Sequence, residues 1–176
     1  MQKKTRIGID ARVLEWQRGA LANFLINLKG VWITSNTKYE FYYFFQNNIP
    51  NDLIFSEHET PIVIKGPKIL KRKILTDIFL FGRALKKNKI DILFATIYSY
   101  PFHSFRKKTF LFLWDITFST HKSHYGIIKG NIYHFMSKYS AKFAYKVITC
   151  SKYDLDVINK NYKVNNKSLY IELPPG

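Results

Sequence analysis

The sequence predicts an α/β fold of the Rossmann type: an open, mostly parallel sheet with helices on both faces. Short β-prone runs alternate with longer runs whose apolar residues recur every three or four positions. Residues 109–114 (TFLFLW) are almost continuously apolar, which is typical of a strand buried on both faces of a parallel sheet. The chain has 176 residues, 47% of them hydrophobic, so we expect a single domain, residues 1–176, with a sizeable core.

The first unit of the chain is predicted to be a strand, a polar loop, a glycine and a helix. The strand contains Ile7 and Ile9, and the charged residues Asp10 and Arg12 follow it. After Gly19, apolar residues take the spacing of one helix face: Leu21, Phe24, Leu25, Leu28, Val31 and Trp32. Backbone N–H groups and the helix dipole at this turn could hold a phosphate or carboxylate. An ordinary first βα turn fits equally well, since neither a dinucleotide fingerprint nor a P-loop is present.

The remaining elements follow in alternation. We predict strands at residues 39–46, 62–64, 92–95, 109–114, 147–150 and 169–171, and helices at 69–85, 127–143 and 152–159. Ser151 should cap the last helix, with Asp154 at its third position. The helix at 69–85 has an apolar stripe, Leu70, Ile74, Ile78, Phe81 and Leu85, with Lys and Arg near both ends. It fits a core helix with a solvated basic face, or a helix lying on a membrane.

The net charge of +16, from 28 Lys and Arg against 12 Asp and Glu, has three explanations. They are nucleic-acid binding, an anionic membrane surface, and a codon bias that enriches Lys, Asn, Ile, Tyr and Phe. The cations are spread along the chain and no nucleic-acid-binding motif accompanies them, so nucleic acid is not favoured as a partner. A peripheral contact with the inner face of the cell membrane stays open.

Composition also bounds the compartment and the chemistry. The single cysteine, Cys150, excludes an internal disulfide and fits a reducing compartment, and without clustered ligands no metal site is expected. No apolar run approaches the roughly 18 residues of a membrane span. Residues 1–5 lead into a strand without the apolar core of a signal peptide, so we expect a cytoplasmic protein.

Polar side chains follow several predicted strands, at the edge where ligands bind in such sheets. They are Asp10, Arg12, Tyr98, Ser99, Tyr100, Asp115, Thr117, Ser119, His121, His124 and Ser151. Carboxylates, hydroxyls and imidazoles at one rim suit a polyhydroxylated ligand such as a sugar. The alternatives are structural: Asp10 could pair with Arg12, Asp115 could accept hydrogen bonds from loop N–H groups, and the histidines could be ordinary loop residues. A Ser-His-Asp hydrolase is not favoured because the motif Gly-x-Ser-x-Gly is absent.

Four segments, taken in order, resemble the N-terminal half of a glycosyltransferase of family 4, which has the GT-B architecture. They are IGIDARVLEWQRGALANFLINL, DILFATIYSYP, FLFLWDITFSTHKSHYG and SAKFAYKVITCSKYDLDVI. The first resembles the family's opening strand, loop and glycine-led helix, and the second a strand with a proline-containing loop. The third resembles a segment that usually reads His-Asp-Leu-Ser-Phe, and the fourth ends like the family's Ser-x-x-Ser/Tyr-x-x-Asp.

The resemblance implies a retaining transferase of two Rossmann-like domains, the N-terminal one holding the acceptor and the C-terminal one the nucleotide-sugar, without a metal or other cofactor. It assigns Asp115 to the acceptor side as a catalytic candidate. The family's His before this Asp is Trp114 here, so His121 is a possible substitute for the imidazole. The substrate-binding residues expected are Asp10, Arg12, Gly19, Tyr98, Ser99, Thr117 and Ser151.

The sequence thus predicts the acceptor-binding domain of a glycosyltransferase that builds surface polysaccharide or lipopolysaccharide on a saccharide or lipid-linked acceptor. The donor-binding domain is expected in a longer protein or in a separate chain, so residues 1–176 alone should not turn over. Two alternatives remain: a basic nucleic-acid-binding module, and a non-catalytic remnant or partner subunit of a split glycosyltransferase.

Overall fold

A seven-stranded parallel sheet forms the centre of the computed structural model, which describes residues 4–16, 19–35, 38–67, 75–117 and 126–171. The strand order is β3-β2-β1-β4-β5-β6-β7, and every neighbouring pair is parallel. The strands are β1 Thr5–Asp10, β2 Tyr39–Phe45, β3 Glu59–Val63, β4 Ile92–Ala95, β5 Lys108–Phe112, β6 Lys146–Thr149 and β7 Ser168–Tyr170. The predicted α/β fold is confirmed.

Helices cover both faces of the sheet, as predicted. They are α1 Val13–Trp16, α2 Ala20–Ser35, α3 Gly82–Lys87, α4 Ile127–Phe143 and α5 Lys152–Tyr162, and a π-helical segment, Thr76–Phe81, leads into α3. One core cluster joins α1 and α2 to the face of the sheet that carries Ile9 and Tyr43. The other joins α3, α4 and α5 to the opposite face, which carries Leu93 and Leu111. None of the helices in the described ranges has the length and hydropathy needed to cross a membrane.

Several predicted boundaries were wrong by a few residues. The loop before Gly19 contains the short helix α1, and the third strand starts at Glu59 because this residue already pairs with Phe41 of β2. Val31, placed with the apolar stripe of its helix, is 61% exposed, and Phe79, within the helix predicted at 69–85, is 55% exposed. Residues 69–74 of the helix predicted at 69–85 lie outside the described residues, and the described part is π-helical before it becomes α3.

The outermost strands present little free backbone. At one edge, β3 contains Pro61 opposite Tyr43 of β2. Proline has no N–H to donate, so it is tolerated in a strand at the edge of a sheet. At the other edge, β7 has three residues, Ser168–Tyr170.

A buried ion pair ties α2 to the start of β3. Lys29 Nζ lies 2.9 Å from Glu59 Oε2 and donates to the Ile54 carbonyl oxygen at 2.6 Å. Burial alone would raise the pKa of the Glu59 carboxyl, but hydrogen bonds from the Ser56 backbone and Lys29, together with the nearby Tyr43 hydroxyl, outweigh it and lower that pKa. Burial, with the nearby Glu59 carboxylate, raises the pKa of the Tyr43 hydroxyl. The carboxylate therefore favours the folded state only while it is ionised.

The substitution Glu59→Gln should lower the free energy of unfolding by about 1–3 kcal/mol at pH 7, because a charge-assisted hydrogen bond is lost in a buried place. The pKa of Glu59 is lowered on folding, so its contribution is complete above pH 4.5, its ordinary value, and disappears as the pH falls through the folded-state value. Urea unfolding at a series of pH values should show the gap between wild type and variant closing in acid. A gap that stays constant would contradict this account.

Candidate functional site

The candidate site lies at the carboxyl edge of the sheet, where the strand order reverses between β1 and β4. Strands β2 and β3 lie on one side of β1, and β4 to β7 lie on the other. In open parallel sheets the loops diverge at such a reversal and leave a crevice for ligands. The hydroxyl of Thr96, after β4, donates to the Asp10 carbonyl oxygen at 2.5 Å and holds the two loops together.

Asp10 and Arg12 form an ion pair inside the protein. The Arg12 Nε and Nη2 atoms lie 2.8 and 2.6 Å from the two Asp10 carboxylate oxygens, and both side chains are fully buried. The guanidinium also lies over the Phe81 ring at 4.8 Å. The alternative interpretation of these residues, that they pair with each other, is therefore what the structure shows. Their contact with a substrate stays a prediction.

The loop after β4 is anchored to α4. The Tyr100 N–H donates to Ser140 Oγ at 3.2 Å, and burial raises the pKa of the Tyr100 hydroxyl to about 12. Tyr98 has φ 26°, a conformation that non-glycine residues seldom adopt, and is half-buried. Ser99, which follows it, is buried. Of Tyr98, Ser99 and Tyr100, Tyr98 thus has the most accessible side chain.

Gly82, the first residue of α3, packs closely against the same loop. A Cβ atom added to Gly82 would lie 2.0 Å from Ser104 Oγ and 3.2 Å from Pro101 Cβ. Only glycine lets the start of α3 approach this closely. The loop that carries Tyr98 and Ser99 is therefore held between α3 and α4.

Asp115 and Thr117 form a turn beyond β5. Asp115 Oδ1 accepts hydrogen bonds from the Thr117 backbone N–H at 2.9 Å and from its hydroxyl at 2.6 Å. This is the structural alternative foreseen for Asp115, an aspartate that orders its own loop. Its other oxygen, Oδ2, accepts no hydrogen bond from the part of the chain that the structure describes. The side chain is half-buried, and one oxygen shapes the loop, which makes the other oxygen the candidate for contact with a ligand.

A second group of polar side chains lies where β6 ends. Ser151 caps α5 as predicted: its hydroxyl accepts the Asp154 N–H at 3.0 Å and donates to the Asp154 carboxylate. Burial raises the pKa of the Cys150 thiol, and the carboxylates of Asp154 and Asp115 raise it further. Cys150 Sγ also lies 3.9 Å from the Trp114 carbonyl oxygen. The ends of β5 and β6 therefore form one acidic, hydroxyl-rich rim.

The remaining predicted residues are placed only in part. Gly19 directly precedes α2, and its carbonyl oxygen accepts the Asn23 N–H at 2.9 Å. His121, with Ser119 and His124, lies outside the described residues. Within the described ranges, no group of His, Cys, Asp and Glu could hold a metal ion.

Sequence reasoning overlooked Glu15. Its carboxylate accepts hydrogen bonds from the backbone N–H groups of Gln46 and Asn47, beyond β2, and so ties α1 to that loop. The role of this acidic residue could not be predicted from the loop sequence, because its partners lie more than thirty residues away. The rim at β1 is consequently built by three charged side chains rather than by two.

The environment of Cys150 gives a direct test of the acidic rim. We expect alkylation of this thiol by iodoacetamide to follow a pKa above that of an ordinary cysteine, because burial and two carboxylates oppose the thiolate. In the variant Asp115→Asn that pKa should fall, whereas the exposed Asp156→Asn should leave it unchanged. Rates measured against pH by mass spectrometry give both values, and equal pKa values in the two variants would contradict the placement of Asp115.

Comparisons with known proteins agree with the fold. No protein-family model matches the chain, and no curated protein matches it by sequence. Among solved structures, it is similar to sucrose-phosphate synthase from Thermosynechococcus elongatus, a GT-B glycosyltransferase, with a TM-score of 0.70 and 11% sequence identity. The match covers 99% of this chain and 49% of that one, so the chain spans about half the length of its structural neighbour. The chain therefore has a glycosyltransferase-like, Rossmann-type fold.

Proposed function

We propose that this chain is the acceptor-binding domain of a retaining glycosyltransferase of family 4. It would take part in surface polysaccharide or lipopolysaccharide assembly, receiving a sugar from a nucleotide-sugar onto a saccharide or lipid-linked saccharide. The observation that carries the proposal is the half-buried Asp115 carboxylate at the carboxyl end of β5, with one oxygen fixed by Thr117. The glycosyltransferase-like fold supports the same proposal.

The rim suits the hydroxyl chemistry of a sugar acceptor. An acceptor hydroxyl must give up its proton as the new glycosidic bond forms, and a carboxylate within hydrogen-bond reach can orient that hydroxyl and accept the proton. Asp115 Oδ2 is the group proposed for this step. Tyr98, Thr117 and Ser151 add hydroxyls for neighbouring sugar oxygens, and His121 is proposed as a second proton-transfer group.

The donor side belongs to a second domain in this proposal. That domain, in the full-length protein or in a separate chain, would hold the nucleotide-sugar, and the turn at Gly19 would face its phosphates. Backbone N–H groups before α2 and the positive end of the helix dipole favour an anion there. Transfer would need no metal or other cofactor on this side of the cleft.

Cys150 offers a readout of acceptor binding that does not depend on turnover. With the full-length protein, saccharide and lipid-linked acceptors at the rim should slow the alkylation of Cys150, as followed by mass spectrometry of its peptide. The variant Asp115→Asn should lose this protection, and Asp156→Asn, an exposed carboxylate on α5, should keep it. Protection by oligonucleotides and not by saccharides would favour the nucleic-acid-binding alternative. No protection by any saccharide would count against an acceptor site here.

A further inference from the structure

The outer face of α4 carries an exposed apolar stripe. Ile128, Ile132, Phe135 and Phe143 are 79%, 39%, 53% and 43% exposed, and the half-buried Tyr139 lies between the last two. These five residues, the α4 stripe, are spaced by four, three, four and four positions, which places them on one side of the helix. The opposite side packs on the sheet with small buried residues: Gly130, Ser137, Ser140, Ala141 and Ala144.

Aromatic contacts make the stripe continuous with the loop before β5. Phe102 stacks on Tyr139 and Phe143, with ring centroids 6.0 and 5.6 Å apart, and Phe135 lies 4.4 Å from Tyr139. The Arg106 guanidinium lies 4.8 Å above the Phe143 ring. Large aromatic side chains with cations at their margin are characteristic of protein surfaces that sit at a membrane interface.

The two segments that form the stripe and the neighbouring loop carry charges of one sign only. Residues 126–146 and 101–108 contain no Asp or Glu. Lys129, Lys138 and Lys142 are exposed on α4, and Arg106 and Lys108 are exposed beside it. A helix with an apolar stripe and cationic flanks binds to anionic lipid surfaces through both features.

We propose that the α4 stripe docks on the surface of an anionic lipid bilayer. The apolar side chains would enter the boundary between headgroups and acyl chains, while the flanking Lys and Arg side chains contact lipid phosphates. A lipid surface is favoured over a protein partner because every charged residue of segments 126–146 and 101–108 is cationic, which a sheet of anionic headgroups complements along the whole helix. This surface differs from the helix first considered for membrane contact: among the large apolar residues of that helix whose side chains the structure describes, Phe79 is the one that is exposed.

Docking through α4 would also orient the candidate site. The chain passes from Asp115 and Thr117 at the carboxyl edge of the sheet into the start of α4, where Ile128 is the most exposed residue of the stripe. The rim would then lie beside the bilayer surface, at the end of the docked helix. This orientation of the rim favours a lipid-linked acceptor, and that consequence rests on the proposed function. The docking of α4 on the bilayer does not depend on the proposed function.

Vesicle co-sedimentation of the full-length protein tests the docking. The protein should bind phosphatidylcholine vesicles that contain phosphatidylglycerol, bind pure phosphatidylcholine far less, and dissociate in about 1 M salt, where the Debye length falls to about 3 Å. The variant Ile132→Ser/Phe135→Ser should bind at least about tenfold more weakly, because two apolar anchors are lost. Val31→Ser/Ile54→Ser is the matched control, since both residues are exposed on other surfaces.

A charge-reversal pair separates this surface from the rest of the basic protein. Lys138→Glu/Lys142→Glu should abolish binding to anionic vesicles, and Lys86→Glu/Lys87→Glu on α3 should leave most of it. Wild-type binding by either α4 variant, or equal losses in the α3 control, would overturn the proposal. So would a wild-type dimer in solution that Ile132→Ser/Phe135→Ser converts to a monomer, because the stripe would then cover a second copy. Thermal melts confirm that each variant is folded.

Discussion

Replacing Asp10 with Ala should lower the free energy of unfolding by about 3–5 kcal/mol, because the variant leaves the fully buried Arg12 guanidinium without its carboxylate partner. The two side chains meet through a pair of hydrogen bonds of 2.6 and 2.8 Å. A charge in a low-dielectric interior depends on such a partner far more than a charge at the surface does. Urea unfolding at neutral pH, followed by circular dichroism, measures the loss.

Two further variants show whether the loss comes from the buried charge. Glu40→Ala removes the partner of Arg6 in a pair that is about one-third exposed, and should cost no more than about 1 kcal/mol. The double variant Asp10→Ala/Arg12→Met removes both buried charges and should recover much of the stability that Asp10→Ala loses. If Asp10→Ala were as mild as Glu40→Ala, the pair would contribute little to folding, and a direct role in ligand binding would gain weight.

Replacing Asp115 with Asn should lower the rate of sugar transfer by the complete enzyme about 10²–10⁴-fold, the usual contribution of a proton-accepting side chain. The amide oxygen can still accept the hydrogen bonds from Thr117, so the turn after β5 should survive and the charge alone is lost. We expect the effect in kcat rather than in KM for the acceptor, because the carboxylate acts on the proton as the bond forms.

Neighbouring variants distinguish catalysis from loop structure. Thr117→Val removes the hydroxyl that holds Asp115 Oδ1 at 2.6 Å and should give a smaller loss, about tenfold, because the backbone N–H still holds the same oxygen. Asp156→Asn on α5 should transfer at the wild-type rate. Transfer by Asp115→Asn at the wild-type rate would mean that this aspartate only orders its loop.

The architecture could be predicted from the sequence because most helices and strands have a distinct local pattern of apolar residues. The run 92–95 is β4 with the bounds predicted, and the helix predicted at 127–143 is α4, since apolar periodicity determines both. The cap at Ser151 was equally local, because its partner Asp154 is three residues away. The start of β3 was missed because it is set by pairing with Phe41 of β2, a residue distant in sequence, and no local pattern marks it.

The chemistry of the site was less predictable, since it depends on burial. The pairing of Asp10 with Arg12 was one of the alternatives that the sequence offered, but nothing in their spacing reveals that both side chains are enclosed. The orientation of α4 was equally hidden: its large apolar residues form a regular stripe typical of a core face, yet the helix turns this stripe outward. Small residues such as Ser140 and Ala141 occupy its buried side, where Ser140 contacts the backbone of Tyr100, and Phe135 lies outside.

The two edge strands of the sheet, β3 and β7, limit how this protein can associate with others. Pro61 interrupts the hydrogen-bonding edge of β3, and β7 offers only three residues at the other edge. A foreign strand would therefore find no long ladder on which to extend the sheet, and edge-to-edge polymerisation is suppressed. Contacts with a second domain, another chain or a bilayer are accordingly expected from side chains of the loops and helices, where specificity can be selected residue by residue.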